Sequence, residues 1–416
     1  MSTDASSVTG PAWLDHYDVV VVGGGPIGLA AAYSCAREGR SVLLLEQYNF
    51  FNQSGSSNDL VRMFRTMYTE SFLADLAHAS IKDWHDLEHE AGEELIVMSG
   101  LLNFGDPAYI DGPEGNLLEP VKNLDRLGMP YRTMTAKEIQ SEYPLEGLPS
   151  SFVGVFAPDN GCINVPRVLR VLHRLARAHG ATLRSNTAVT DLGLSPDLVK
   201  VSIKESNGTE RVVTGERCIL AAGAYTNRLL RSFGLALRLQ IWEMVYAYYA
   251  TDPESGNGHF PSMWFQFLGS TDGDPAKSNL FYGFPSVSWG PENLVRIAVD
   301  NAVNIINDPA ERGVAPAAND LAVTAEFVRH HCPGVDAQPN YCGTCLQANL
   351  PDNLSVLDFL PATVGPGHEN VAVVAGGWAF KFVPLVGKAL ADLVLEGETG
   401  FWPQEFRVAR PGLLQV

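Results

Sequence analysis

"YDVVVVGGGPIGLAAAYSCAREGRSVLLLEQ", residues 17–47, decides the fold. Residues 19–22 are a short, wholly apolar run, as a strand buried on both faces requires. Gly23, Gly25 and Gly28 follow as G-x-G-x-x-G, with Pro26 and Ile27 inside the motif. Residues 27–37 read as a helix stopped near Gly39, and residues 41–45 as a second buried strand ending at Glu46. The first glycine makes the tight turn, the second lets the backbone approach a pyrophosphate, and the third lets helix pack on strand. A diphosphate then meets the helix N-terminus, and Glu46 can accept hydrogen bonds from ribose hydroxyls. An acid at that point favours an adenosine ribose without a 2′-phosphate, hence FAD or NAD over NADP. The bare glycine pattern is weak evidence; strand, glycines, helix, strand and acid in that order are strong evidence.

The remaining composition sets outer bounds. A chain of 416 residues exceeds one ordinary core and suggests two domains. Apolar residues at 46% and charged ones at 18% describe a folded protein, not a disordered one. A net charge of −18 repels nucleic acid and anionic membrane, so neither is expected as a partner. The N-terminal residues 1–18 lack the basic and apolar regions of a signal peptide. No apolar run approaches the roughly 20 residues of a spanning helix. The expectation is a soluble cytoplasmic protein. Six cysteines are too sparse for a disulfide framework, and no metal site is expected.

Further along, "SGSSNDLVRMFRTMYTESF" (54–72) begins as a flexible loop and carries Arg62 and Arg65, three apart, on what reads as one face of a helical turn. Met63, Phe64 and Met67 around them argue for burial, and a buried arginine needs an anion. Residues 72–95 and 164–180 read as amphipathic helices. Residues 218–221 read as a buried strand that returns the chain to the nucleotide-binding sheet, and residues 370–397 end the fold as strand, Gly-Gly, helix. Residues 240–300 are rich in aromatic and β-branched residues and read as a mainly antiparallel sheet. The fold class is therefore α/β. A Rossmann-type domain (1–95, 158–235 and 335–416) is interleaved with an antiparallel-sheet substrate domain (96–157 and 236–334), and the site is expected where they meet. In "PNYCGTCLQANLPDN" (339–353), Cys342 and Cys345 have the spacing of a redox dithiol or half a zinc site. No second ligand pair completes the zinc site, and a dithiol should open a helix after a strand.

"VVVVGGGPIGLAAA" with Glu46, "GSSNDLVRMFR", "LEHEAG", "LAAGAYTN", "YGFPS" and "VVAGGWAFKF" together resemble the FAD-dependent amine oxidases of the monomeric sarcosine oxidase and pipecolate oxidase group. That group lies within the D-amino-acid-oxidase superfamily, and the likeness spans essentially the whole chain. The resemblance implies FAD held covalently. Cys345, followed by Asn349, Pro351, Asp352, Val356, Leu357 and Asp358, falls in the register of the family cysteine that forms a thioether to the flavin 8α-methyl, and Cys342 does not. By the same resemblance Arg65 and Lys381 bind the substrate carboxylate, and Arg62 lies beside the flavin ring. Ser56, Val189, Ala222, Gly223, Gly376 and Gly377 are further cofactor-binding positions so implied.

Two departures from the family pattern stand out. Arg296 and Asp300 replace a lysine that promotes reaction with oxygen and a histidine four residues on, and Asn58 stands where a histidine is common. Arginine still supplies positive charge, but it cannot donate a proton as lysine does. Trp378, three before Lys381, is similar to the nikkomycin-pathway imino acid oxidase; a ring there narrows the pocket in favour of a flat or cyclic substrate. The resemblance implies oxidation of a secondary, cyclic or N-methyl amino acid to the imine, with hydride passing to FAD and O2 reduced to H2O2, by an enzyme expected to be monomeric. The alternatives are a dehydrogenase or desaturase with another electron acceptor, an NAD enzyme, and a non-catalytic flavoprotein.

Overall fold

The computed structural model describes residues 13–57, 59–108, 115–252, 258–267, 280–300, 302–313, 315–377, 379–400 and 403–415. The strand His16–Val22 pairs in parallel with Val42–Leu45 on one edge and with Glu210–Leu220 on the other. Thr182–Arg184 and Val371–Ala375 extend the parallel set. Thr187–Leu194 and Val199–Glu205 add an antiparallel flank, and Val356–Phe359 closes the far edge, giving an eight-stranded sheet among the described residues.

Strand period two explains why these runs are apolar throughout. Val19, Val21 and Leu44 face one core, and Val20, Val22, Leu43 and Leu45 face the other. The first core is closed by the helices Pro26–Arg37, Ser71–Ala91, Val165–Ala178 and Val383–Glu396. Ser71–Ala91 buries Leu76, Trp84 and Leu87 and stops at Gly92, which is left-handed at φ 65°. Val165–Ala178 starts where Asn164 Oδ1 accepts from the Arg167 N–H at 3.0 Å. No described helix is long and apolar enough to cross a membrane.

The second large sheet has nine strands among the described residues and is mainly antiparallel. Its centre is Gln240–Thr251, flanked by Leu294–Val299 and Val335–Asn349. One parallel pair, Met263–Phe267 with Leu101–Gly105, joins the two expected insertions. The strand Val335–Asn349 corrects one expected boundary. The sequence places residues from 335 on the nucleotide-binding side, yet this strand pairs with Gln240–Thr251 from Gln240↔Asn349 to Thr251↔Val335. Backbone pairing along that length places it in the second sheet.

A third, small sheet joins Val61–Phe64, Ile96–Val97 and Gly161–Asn164. Arg62 therefore lies in a strand and not on a helical turn, and Arg65 follows its last residue. Val61 and Phe64 are fully buried, and ladder bonds to Gly161–Asn164 hold the segment extended.

The helices Pro26–Arg37 and Val383–Glu396 approach closely at Gly387. A Cβ there would lie 2.5 Å from Ala30 Cβ and 2.7 Å from its backbone carbon. Overpacking of this kind costs about 1–3 kcal/mol. Gly387→Ala is expected to lower stability by about that amount, read as a lower urea midpoint at unchanged denaturant slope; an unchanged midpoint would show that the helices part at no cost.

Candidate active site

A cavity of about 520 Å³ opens where the C-terminal ends of the parallel strands face the second sheet. Gly23, Gly25, Pro26 and Ile27 line one end. Gly28 does not line it; a Cβ there would lie 1.9 Å from Gly23 O, which is the helix-on-strand contact its place in the motif requires. The Glu46 carboxylate accepts from the Gly24 N–H at 2.7 Å through one oxygen and from the Tyr48 N–H at 2.9 Å through the other. Burial pushes its pKa up, and those two amides hold it back. Oε1 accepts a second bond from Asn52 Nδ2 at 3.4 Å, which leaves a lone pair on Oε2 for a further donor. Ser56, Val189, Ala222, Gly223, Gly376 and Gly377 all line the same cavity. A glycine turn, a helix N-terminus and a buried carboxylate thus fit a dinucleotide, and the cavity continues from them to Cys345, Arg65, Arg296 and Lys381.

Asp59, which the sequence did not single out, organises the middle. Its side chain is fully buried, and its backbone is left-handed at φ 89°. One oxygen accepts from Leu60 N–H at 2.7 Å and Tyr248 OH at 2.6 Å; the other accepts from Arg62 Nη1 at 2.7 Å and Arg296 Nε at 2.8 Å. Burial pushes the carboxyl up, but Arg296 and Arg62 outweigh it and hold the group below the usual carboxylate range. Burial and the Asp59 charge push the Tyr248 hydroxyl far up, so it stays a donor.

Arg296 is buried, and its carbon centre lies 5.1 Å from the ring centroids of both Tyr282 and Phe284. Its Nη2 donates to Tyr282 OH at 3.4 Å. Arg62 Nη2 also reaches Ser56 O at 3.0 Å, tying the cavity loop to the same cluster. Asp300 lines the cavity and is buried.

The structure brings Arg65 and Lys381 together. Both line the cavity and both are buried. One ring backs the two cations: Arg65 Cζ lies 4.6 Å and Lys381 Nζ 5.5 Å from the centroid of Tyr68. Trp84 Nε1 donates to Lys381 O at 2.8 Å, which fixes the backbone that carries the lysine. Trp84 falls within residues 72–95, whose pattern marks only an amphipathic helix, and Tyr68 gives no signal beyond proximity to Arg65.

The two cysteines separate. Strand alternation turns Cys342 and Cys345, three apart, to opposite faces. Cys342 is exposed, whereas Cys345 is half-buried and lines the cavity. Burial pushes the Cys345 thiol up, with Arg62, Arg296 and Arg312 pulling against it. Trp378 and Asn58 lie outside the described residues.

Comparison with known proteins adds the following. A match to the FAD dependent oxidoreductase family, DAO, spans residues 18–393. Over 405 residues the chain is 46% identical to a Dictyostelium discoideum protein whose name assigns it, provisionally, as a bifunctional amine oxidase; the match covers 95% of this chain and 37% of that longer protein. It is 29% identical over 405 residues to the peroxisomal sarcosine oxidase of Homo sapiens, covering 95% of this chain and 96% of the relative. Among solved structures NikD, described as an unusual amino acid oxidase essential for nikkomycin biosynthesis, aligns with a TM-score of 0.84 at 34% identity, covering 95% of this chain and 98% of NikD.

Removing the Asp59 charge leaves the buried Arg296 and the half-buried Arg62 without their shared anion, a loss of about 3–5 kcal/mol for a buried pair. Asp59→Asn is expected to cost that much at pH 7 in urea unfolding. Because the folded pKa of Asp59 is depressed, its contribution is present above the unfolded value of about 3.9 and is lost as pH falls through the folded one. The gap between wild type and variant should therefore stay constant from pH 7 to about pH 4 and narrow below the unfolded value of about 3.9; a gap that persists as the pH falls well below that value would assign the loss to shape and not to charge.

Proposed function

The chain belongs to the FAD dependent oxidoreductase family, DAO, and on that premise we propose that it oxidises an amino acid with a secondary, cyclic or N-methylated amine to the corresponding imine. The observation that carries this reading is the pair Arg65 and Lys381, buried beside one another around Tyr68 in the same cavity as the glycine turn. Two convergent cations hold a carboxylate in a fixed orientation, which sets the adjacent C–H bond towards the cofactor. FAD, when bound, would supply a hydride acceptor for that carbon and a route for the electrons to O2, with H2O2 as the product.

The chain's own residues then divide the work. The glycine turn and the N-terminus of Pro26–Arg37 hold the diphosphate, Glu46 holds the ribose, and Arg62 lies at the ring. Phe265, Tyr282 and Phe284 wall the reaction space against water. A substrate that binds as the free amine needs no protein base. Cys345 tethers the flavin through a thioether, and Cys342 takes no part. The sarcosine oxidase relative supports an N-methyl amine, and NikD supports an amino acid as substrate. The reading keeps a monomeric, cytoplasmic enzyme acting on a small molecule.

One observation favours a second reading. Arg296 stands where the oxygen-promoting lysine is expected, and Asp59 offsets its charge at 2.8 Å. A partly neutralised arginine that cannot release a proton is a weak promoter of oxygen reduction. Electrons then leave to another acceptor, and the enzyme acts as a dehydrogenase or desaturase.

The deciding experiment is an anaerobic screen of N-methyl, cyclic and aromatic amino acids for bleaching of the bound flavin; no bleaching with any of them would sink the amine-oxidation reading. Reoxidation of the bleached enzyme by O2 and by a dye acceptor then separates the two readings. Arg65→Met or Lys381→Met is expected to raise KM for the bleaching amino acid roughly 10- to 100-fold, since each removes a charge-assisted bond of about 1.5–3 kcal/mol. Acid precipitation is expected to leave the colour in the pellet for wild type and Cys342→Ala, and in the supernatant for Cys345→Ala.

A further inference from the structure

The backbone around Cys345 is held by a frame with no role in the chemistry above. The strand Val335–Asn349 pairs with Gln240–Thr251 through the register Met244↔Cys345. The cavity loop that contains Ser54, Gly55 and Ser56 bonds directly to the residue that follows Cys345. After the cysteine, the Leu346 N–H donates to Gly55 O at 3.3 Å, and Ser56 Oγ donates to Leu346 O.

Before the cysteine the connection is made by one side chain. Arg312 Nε donates to Thr344 Oγ1 and Arg312 Nη2 to Thr344 O, each at 3.2 Å, while Nη1 donates to Gln53 O. Thr344 Oγ1 donates onward to Gly313 O at 3.0 Å, and the Gly313 N–H donates to Glu243 Oε1 at 2.7 Å. Arg312 thus joins three segments that are distant in sequence: its own loop, the loop at Gln53 and the residue preceding Cys345.

We infer that Arg312 is a positioning residue for attachment of the flavin, its planar fork fixing the backbone at Thr344 so that the Cys345 sulfur is held at the cofactor. This inference rests on the tether proposed above. In the net step the Cys345 thiol loses its proton and the S–C bond forms at the flavin 8α-methyl carbon, which gives up one hydrogen as a proton. The electron pair released passes to O2, which takes up both protons as H2O2. Bond formation at one carbon tolerates little displacement; a misplacement of about 1 Å costs on the order of 100-fold in rate. A guanidinium bridges two acceptors on Thr344 and one on Gln53 with fixed geometry, and an ammonium cannot. Arg62 and Arg296 also lie near the thiol, so losing the Arg312 charge leaves two cations in place.

The test uses the full chain as purified, with total flavin measured first and the acid-soluble fraction second. Arg312→Gln and Arg312→Lys are both expected to bind flavin at wild-type stoichiometry, with at least tenfold more of it acid-soluble than in wild type, and with that excess persisting across pH 6 to 9. Thr344→Val, which removes the acceptor hydroxyl at nearly constant shape, is expected to shift the fraction the same way and keeps the test open if an Arg312 variant fails to fold. Wild-type attachment in Arg312→Gln and Thr344→Val overturns the inference. Full restoration by Arg312→Lys overturns the fork and leaves charge as the cause. Wild-type protein that itself releases all its flavin in acid overturns the tether, and the inference falls with it.

Discussion

The Asp59 carboxylate ties the two sides of the cavity together. Arg62 reaches it from the small three-stranded sheet, and Arg296 and Tyr248 reach it from the nine-stranded sheet. An isolated buried carboxylate would cost several kcal/mol. Here four donors are shared evenly between two oxygens, so the charge is matched and the lone pairs are used. The same bonds offset a backbone conformation that costs a non-glycine residue of order 1–3 kcal/mol. They also decide where the positive charge in the cavity lies. Arg62 and Arg296 are held on a common anion, while Arg65 and Lys381 are grouped around Tyr68. One cationic pair is therefore partly neutralised, and the other is supported by an aromatic face.

Much of the fold is legible because its signals are local. The strand, glycine turn, helix, strand and Glu46 lie within residues 17–47, and each is specified by neighbours a few positions away. Glycine spacing, the stop at Gly92 and the Asn164 cap are equally short-range. What the sequence hides is non-local. Asp59 stands in a Ser/Gly/Asn-rich stretch that reads as a solvated turn; its burial depends on Arg296, 237 residues later, and Tyr248, 189 residues later. The spacing of Arg62 and Arg65 suggested a helical face because their strand partners near Cys162 lie far along the chain. Trp84 gave only its apolar character, and its N–H is committed to a carbonyl 297 residues away.

The cysteine pair shows the same limit from the other direction. A C-x-x-C spacing carries two chemical meanings only when the backbone lets both sulfurs converge. In an extended strand, positions three apart diverge, so the fold separates what the spacing puts together. The strand containing them owes its extension to Gln240–Thr251, a partner no local pattern near Cys345 announces.

The pairing of His16–Val22 with Glu210–Leu220 also bears on how the chain is made. His16 is opposite Thr214, and the neighbouring Val371–Ala375 strand is added only near the end of the sequence. At ~5–20 residues per second, on the order of 10–40 s of synthesis separates the first strand from its Glu210–Leu220 partner. Through that interval the ribosome carries an apolar βαβ unit with an open edge, a ready template for pairing with another chain. The half-made protein, and not the finished one, is the species most exposed to aggregation and most dependent on chaperones. Lys381, two residues before the helix Val383–Glu396 begins, emerges only after all eight described strands of the sheet it serves.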